Sequence, residues 1–370
     1  MQPTLLELFA QIPDPRRAEG KMYPLPQVML FCVLGMLSGA ISYRKMHSFI
    51  KIHFDRLSGL FPSRMKRPPC YAQIRNIMAA LDPADVEAAF RAHSGGLVET
   101  GQDGMLLLAG DGKVMRGSVD KLIDKKAAQI FSIFAGGSQI ILAHVEIDAK
   151  TNEIPVAQAL IRDLGMANCL FTFDALHCQK KTFEVAEAAG CHVLVQVKEN
   201  QKALLAALEA LPETVEPEET CASFDKGRNR EETRRVEKFN CFNILNMPEW
   251  DKYAHVAVRV HRRTWMKNTK TGFPELRKEV SWYITDAAGK PAKFYADTIR
   301  GHWGIENRDH RVRDGAFAED ASKIRKNPGT FARVVSFGLN ILRFNGAKNI
   351  QNTLWENVLD IDRVLAYAGW

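Results

Sequence analysis

Two short stretches, AGDGKVMRGS at 109–118 and FTFDALHCQK at 171–180, each set an aspartate directly after an apolar run, and a third, GHWGIENRDHRVRD at 301–314, carries a glutamate among histidines and arginines. Asp111 and Asp174, at the carboxyl ends of two neighbouring strands, would face one another where open α/β sheets bind ligands. Carboxylates so close repel unless a cation lies between them. Their hard oxygens suit Mg²⁺, which takes one or two protein carboxylates and keeps its other positions for water and phosphate. A third acid, Glu306, would let two ions sit about 3.5–4 Å apart, one activating the attacking oxygen of a phosphodiester reaction and the other steadying the leaving oxygen.

Glu306 is placed for this by helical spacing. At about 100° per residue His302, Trp303, Glu306, His310 and Arg313 share one face, a polar stripe where a core-facing helix would be apolar. Each acid also has a plainer reading. Asp111 before Gly112 would start a turn, Asp174 would cap the helix from Lys180, and Glu306 would pair with Arg313 on a surface. The i, i+4, i+8 spacing of His302, Glu306 and His310 also permits zinc, although HEXXH is absent and three ligands from one straight helix are awkward. His144, His177 and His192 adjoin apolar segments and read as core or edge histidines.

The elements that must hold these acids follow from pattern. Residues 1–95 read as helices, with VMLFCVLGMLSGAIS from Val28 too short for the ~20 residues of a membrane span and hence a buried helix, and with Asp82 capping a helix that opens on Pro83. SGGLVETGQDG from Ser94 is a linker by composition. MLLLAGD is a strand ending on Asp111; QIFSIFA and SQIILAHVEID form a hairpin around Gly136 and Gly137; helices and strands then alternate through PVAQALIRDLG, NCLFTFD, KKTFEVAEAAG, CHVLVQVK and ENQKALLAALEAL. This βββαβαβα order makes a mixed sheet flanked by helices, the order of the ribonuclease H-like fold. The chain therefore divides into a helical N-terminal domain (1–95), the first part of an α/β core (96–212), a basic β-rich insertion (213–290) and a C-terminal helical part of the core (291–370). Across 221–290, 15 Lys and Arg face 9 Asp and Glu.

A formal net charge of +7 over 370 residues favours a polyanionic partner. Arg44, Lys45, His47, Lys51, His53 and Arg56, interleaved with Phe49, and the cluster Arg64, Lys66 and Arg67 would form either a DNA-contacting face or the solvated side of an ordinary bundle. Seven cysteines without a CxxC pair argue against a zinc ribbon or a disulfide framework. With no secretory pattern at the start, a cytoplasmic protein is expected.

With these residues in hand a likeness appears. AGDGKVMRGS, NEIPVAQALI, FTFDALHCQK, VKENQ and GHWGIENRDHRVRDGAFAEDASKIR resemble, in order and spacing, the bacterial ISAs1-type, H-repeat-associated insertion-sequence transposases, which lie near the IS4 group of DDE transposases. The IS4 signature Y-x2-R-x3-E-x6-K matches in part: Glu306 aligns and Arg313 takes the basic place, with Ile299 and His302 where Tyr and Arg would stand. The resemblance implies a ribonuclease H-like core in which Asp111, Asp174 and Glu306 bind two Mg²⁺ ions, with Mn²⁺ as substitute. It implies cleavage at the element's ends, strand transfer into target DNA, and a homodimer on paired ends of double-stranded DNA. A nuclease that cuts without joining and a non-catalytic DNA-binding derivative are the alternatives. Lys113, Arg116, Lys198, Asn200 and Arg313 would donate to phosphates, or Lys198 and Asn200 would cap a helix. Arg234, Arg235, Arg259, Arg262 and Arg263 would follow the backbone. Trp303 would stack on a displaced base or pack its helix to the sheet.

Overall fold

A computed structural model describes residues 3–98, 104–119, 127–147, 151–227, 230–267 and 271–370. Helices come first: α1 (Leu5–Ala10), α2 (Leu25–Leu37), α3 (Tyr43–Ile52), α4 (Phe54–Leu60), α5 (Tyr71–Ala80) and α6 (Pro83–Gly95). The sequence then forms β1 (Leu106–Met115), β2 (Ala128–Ala135), β3 (Ile140–Ile147), α7 (Glu153–Asp163), β4 (Cys169–Phe173), α8 (Lys180–Ala188), β5 (His192–Val197) and α9 (Lys202–Ala210). Four longer elements, β6 (Glu219–Gly227), β7 (Arg230–Asn240), β8 (Val256–Lys267) and β9 (Pro274–Thr285), follow, with the short α10 (Pro248–Asp251) between β7 and β8. The chain closes with α11 (Ala292–Gly304), a π-helical segment Ile305–His310, α12 (Arg311–Gly315), α13 (Pro328–Phe344), α14 (Ile350–Leu359) and α15 (Ile361–Leu365).

Among the described residues the strands are ordered β3-β2-β1-β4-β5-β9-β8-β7-β6. This is the mixed, helix-flanked ribonuclease H-like sheet expected from the βββαβαβα order. The β6–β9 stretch is no detached insertion: β9 pairs antiparallel with β5, from Leu194 opposite Thr285 to Val197 opposite Trp282, so the added strands extend the same sheet. By its contacts the chain divides into two compact units, one of residues 101–111 and 157–304 and the other of 1–100, 112–156 and 305–370.

In the first unit, β1 and β4 run parallel with Leu106 opposite Cys169 and Ala109 opposite Thr172, and β4 runs parallel to β5. Every residue of β4 is buried, as expected of a strand covered on both faces. Helix α11 lays Tyr295 and Ile299 against Leu170, Leu194, Val236, Val258 and Val260, and the Tyr295 hydroxyl donates to Ala287 O at 2.6 Å. A polar group that would otherwise be stranded in this core is thereby satisfied.

The second unit is built around two apolar helices. α2 is buried over nearly its whole length, and α13 is buried from Pro328 to Leu342; α13 packs on α2, α6 and β3. No helix among the described residues is long and apolar enough to cross a membrane. Local signals act as read: Asp82 accepts from the Ala84 amide at 2.8 Å ahead of Pro83, and β2 and β3 pair antiparallel around the Gly136–Gly137 turn. β1 differs from expectation. It does not stop at Asp111 but runs on to Met115, because the alternation of buried Lys113 and Met115 with exposed Val114 continues the two-residue period of a strand.

Candidate active site

The parallel register of β1 and β4 decides how the two aspartates meet. Ala109 is level with Thr172, and two residues further on along each chain come Asp111 and Asp174. Side chains alternate along a strand, so each aspartate points to the same face as the paired residue before it. Adjacent strands lie about 4.8 Å apart, and the same register carried two residues further would bring the carboxylates alongside one another. Asp111 is partly exposed and Asp174 exposed, so both reach solvent. Asp174 keeps extended backbone (φ −71°, ψ 177°) and its carboxylate accepts from the Leu176 amide at 3.1 Å. It therefore does cap a turn, that of residues 175–177. The loop after β5 braces this turn: Asn200 Nδ2 donates to Ala175 O at 2.6 Å and Gln201 Nε2 to Cys178 O at 2.7 Å.

Helix α11 reaches the same face. His302 Nδ1 hydrogen-bonds Thr172 Oγ1 at 3.0 Å, and Thr172 also donates to Leu108 O. Burial pushes the His302 imidazole down to about 4, although nearby Asp174 pulls the other way, so the ring is neutral at physiological pH. The sequence puts His302 on the site's stripe or in a zinc set with Glu306 and His310; Thr172, two residues before Asp174, is the partner that helical spacing does not reveal. Trp303 is 41% exposed, with the Arg262 guanidinium 5.9 Å from its ring centroid.

Glu306 is exposed and lies in the π-helical segment that continues α11, four residues beyond His302. A π turn widens the spacing from 3.6 residues, so the single stripe from His302 to Arg313 expected of a straight α-helix is not formed. Arg313 is the clearest departure. It is 1% exposed, and its guanidinium donates to Glu319, Ser336 Oγ and Ala332 O while lying 3.2 Å from His144 Nε2. Burial opposes its charge, but Glu319 and Asp309 hold it protonated. Burial likewise opposes the charge of Glu319, which Arg313 and Lys113 nonetheless hold down at about 2.

Lys113 belongs to the same network. It is 9% exposed and donates to Asp314 and Glu319. Neither Lys113 nor Arg313 is free to donate to phosphate here; the two expectations are corrected because buried carboxylates consume their donors. A hint lay in the sequence, since Glu319 and Asp320 follow Arg313 within the same motif. Arg116 is 82% exposed at its side chain with Asp320 3.7 Å away, and Lys198 is exposed. In the β6–β9 stretch Arg235 and Arg263 are exposed; Arg234, Arg259 and Arg262 are half-buried beside Glu232, Glu237 and Glu279. Of the histidines set aside as core or edge residues, His144 and His177 are buried and His192 pairs with Asp286 at 2.7 Å.

Two aspartates, one from β1 and one following β4, are a fitting donor set for a hard divalent cation. Among the described residues no group of three or more His, Cys, Asp and Glu has the placement of a metal centre.

The sheet order defines a ribonuclease H-like protein. More closely, residues 120–337 match the family described as transposase DDE domain, and the chain belongs to that family; residues 6–94 match the family described as DDE_Tnp_1-associated. Among curated relatives, the Escherichia coli K12 protein YbfL is 29% identical over 91% of this chain and 90% of its own. YhhI of the same strain, named as a candidate H repeat-associated transposase, is 28% identical over the same shares. YncI of E. coli O157:H7, named as a candidate transposase, is 28% identical over 98% of this chain and 94% of its own. A solved piggyBac transposase synaptic complex with hairpin DNA covers 97% of this chain and 81% of its own at 11% identity and a TM-score of 0.37, a likeness too slight to argue from.

Proposed function

We propose that this protein cleaves DNA at the ends of an insertion sequence and transfers the freed 3′ ends to target DNA, with Asp111, Asp174 and Glu306 as the catalytic and metal-binding acids. The observation that supports the reading is the parallel register of β1 and β4, which pairs Ala109 with Thr172 two residues before each aspartate. Mg²⁺, or Mn²⁺ in its place, would be held by these carboxylates and would supply an activated oxygen nucleophile and neutralise phosphate charge. The chain's own contribution is positioning. The Asp174 turn is fixed by Leu176, Asn200 and the backbone around it, and neutral His302 ties α11 to β4 one turn before Glu306.

DNA would be held along two basic surfaces. Arg44, Lys45, Lys51 and Arg56 of α3 and α4, and Arg64, Lys66 and Arg67 of the loop before α5, are exposed, as are Arg235 and Arg263 of the β6–β9 stretch. Arg116 and Lys198 stand in sequence beside the acids and would contact phosphates there, and Trp303 would contact a base. A homodimer on paired ends and a cytoplasmic, nucleoid-associated location belong to the same reading.

The test is cleavage and joining of element-end DNA in Mg²⁺ or Mn²⁺ by wild type beside Asp111→Ala, Asp174→Ala and Glu306→Ala. Loss of both activities in all three variants, with DNA binding retained, supports the assignment. Cut DNA without joined product from the wild type would make it a nuclease, and binding without any cutting would make it a DNA-binding derivative.

A further inference from the structure

Strands β7 and β8 set Arg234 directly opposite Arg262, and Arg300 of α11 lines the same small cavity. Like charges directly opposite in an antiparallel pair destabilise it. Here the pair is also half-buried, with side chains 18% and 21% exposed. Acids offset part of the charge: Glu232 pairs with Arg234, Glu279 with Arg262 at 3.3 Å, Asp225 with Arg300 at 2.8 Å, and Asp297 with Lys293 at 2.7 Å. Even so, the Nε–H groups of both Arg234 and Arg262 are sealed from solvent without a hydrogen-bond partner. Such stranded donors are costly and ask for an acceptor. Burial first, then the nearby Arg262 and Arg300, lowers the proton affinity of Arg234, as crowded positive charge must.

The cavity between them measures about 130 Å³, with buried Val236 and Val260 and the Ile299 side chain in its lining and half-exposed Trp303 beside them. That volume takes a phosphate group and little more. Its buried apolar lining makes it blind on one side, so a polynucleotide entering with an interior phosphate would have to turn both of its ester arms back through one mouth. A terminal phosphate has a single arm. It also carries roughly −1.5 to −2 charges against one for a diester, the better match for converging guanidinium groups.

We infer that Arg234, Arg262 and Arg300 form a pocket for the terminal phosphate monoester of a DNA strand, with Trp303 against the adjoining nucleotide. The inference deepens the proposed function and rests on it, since hydrolytic cutting leaves a 5′-phosphate on one side of the break.

The test compares binding of otherwise identical oligonucleotides carrying a 5′-phosphate or a 5′-hydroxyl, by fluorescence anisotropy with the full chain and no divalent cation. Wild type is expected to hold the phosphorylated end roughly tenfold more tightly. Arg234→Gln and Arg262→Gln should erase that preference, as should Arg300→Gln, whose side chain is half-exposed and whose loss leaves the buried core intact. Lys278→Gln, level with Arg263 on the opposite face of the strands, should keep it. Inorganic phosphate competing equally with the phosphorylated strand would assign the site to free phosphate and overturn the strand-end assignment. Equal affinity of wild type for the two ends, or a preference that persists in folded Arg234, Arg262 and Arg300 variants, would overturn the pocket itself. Because the assay contains no divalent cation and reads binding alone, failure of the cleavage assays leaves this result separately readable.

Discussion

Asp174 serves two partners at once, a backbone amide and, in the proposed chemistry, a cation, and substitution separates them. Asparagine caps a turn about as well as aspartate but offers no carboxylate. Asp174→Asn is expected to keep its melting temperature within a few degrees while cleavage falls by roughly a thousandfold or more, measured by circular dichroism and a gel cleavage assay on the same preparation. Arg313 should behave in the opposite way. Its guanidinium neutralises Glu319 inside the protein, so Arg313→Met leaves a buried carboxylate without its main partner and should cost about 3 to 5 kcal/mol in urea unfolding. A variant with wild-type stability would mean that Lys113 alone balances Glu319.

Among the elements, the tight approach of residues 116–118 to 319–321 invites a test. A Cβ on Gly117 would collide with the backbone oxygens of Ser322 and Asp320, whereas one on Gly136 in the hairpin turn would meet nothing within 4 Å. Gly117→Ala should therefore destabilise by roughly 2 kcal/mol or more and Gly136→Ala by far less, a contrast that chemical denaturation can read. The elements also mark what sequence can carry. The runs ending on Asp111 and Asp174 were legible because an apolar stretch followed by an acid is a local signal, and the hairpin was legible from its two glycines. The π turn at 305–310 was not, since a straight-helix period gives no warning of one wide turn. The fate of Arg313 and Lys113 was hidden for a different reason: whether a basic side chain meets phosphate or a buried glutamate depends on partners such as Ser336 and His144, far away in the chain. The joining of β9 to β5 was likewise a long-range event that local alternation of residues does not encode.

For the molecule as a whole, acid and salt are the natural probes. His93, buried and hydrogen-bonded to Gly369 O, is depressed to about 4, chiefly by burial, and burial with Arg313 and Arg333 keeps His144 well below its ordinary value. A depressed folded value means that the unfolded chain binds protons the folded one refuses, so stability is complete above about pH 6.5 and drains away as pH falls toward 4. His93 alone accounts for about 3 kcal/mol of that loss, and urea midpoints measured from pH 7.5 to 4 should slope accordingly, less steeply in His93→Gln. DNA affinity should fall on the order of a thousandfold between about 50 and 200 mM salt if six or more phosphates are neutralised; a flat titration would remove the basic surfaces from the proposal. The pairing of β1 with β4 carries a last corollary, about heredity. A single codon gained or lost between Cys169 and Asp174 would turn that aspartate toward the other side of the sheet, whereas the loops around it tolerate changes of length, so variation in such a gene should accumulate in loops and leave this span unaltered in length.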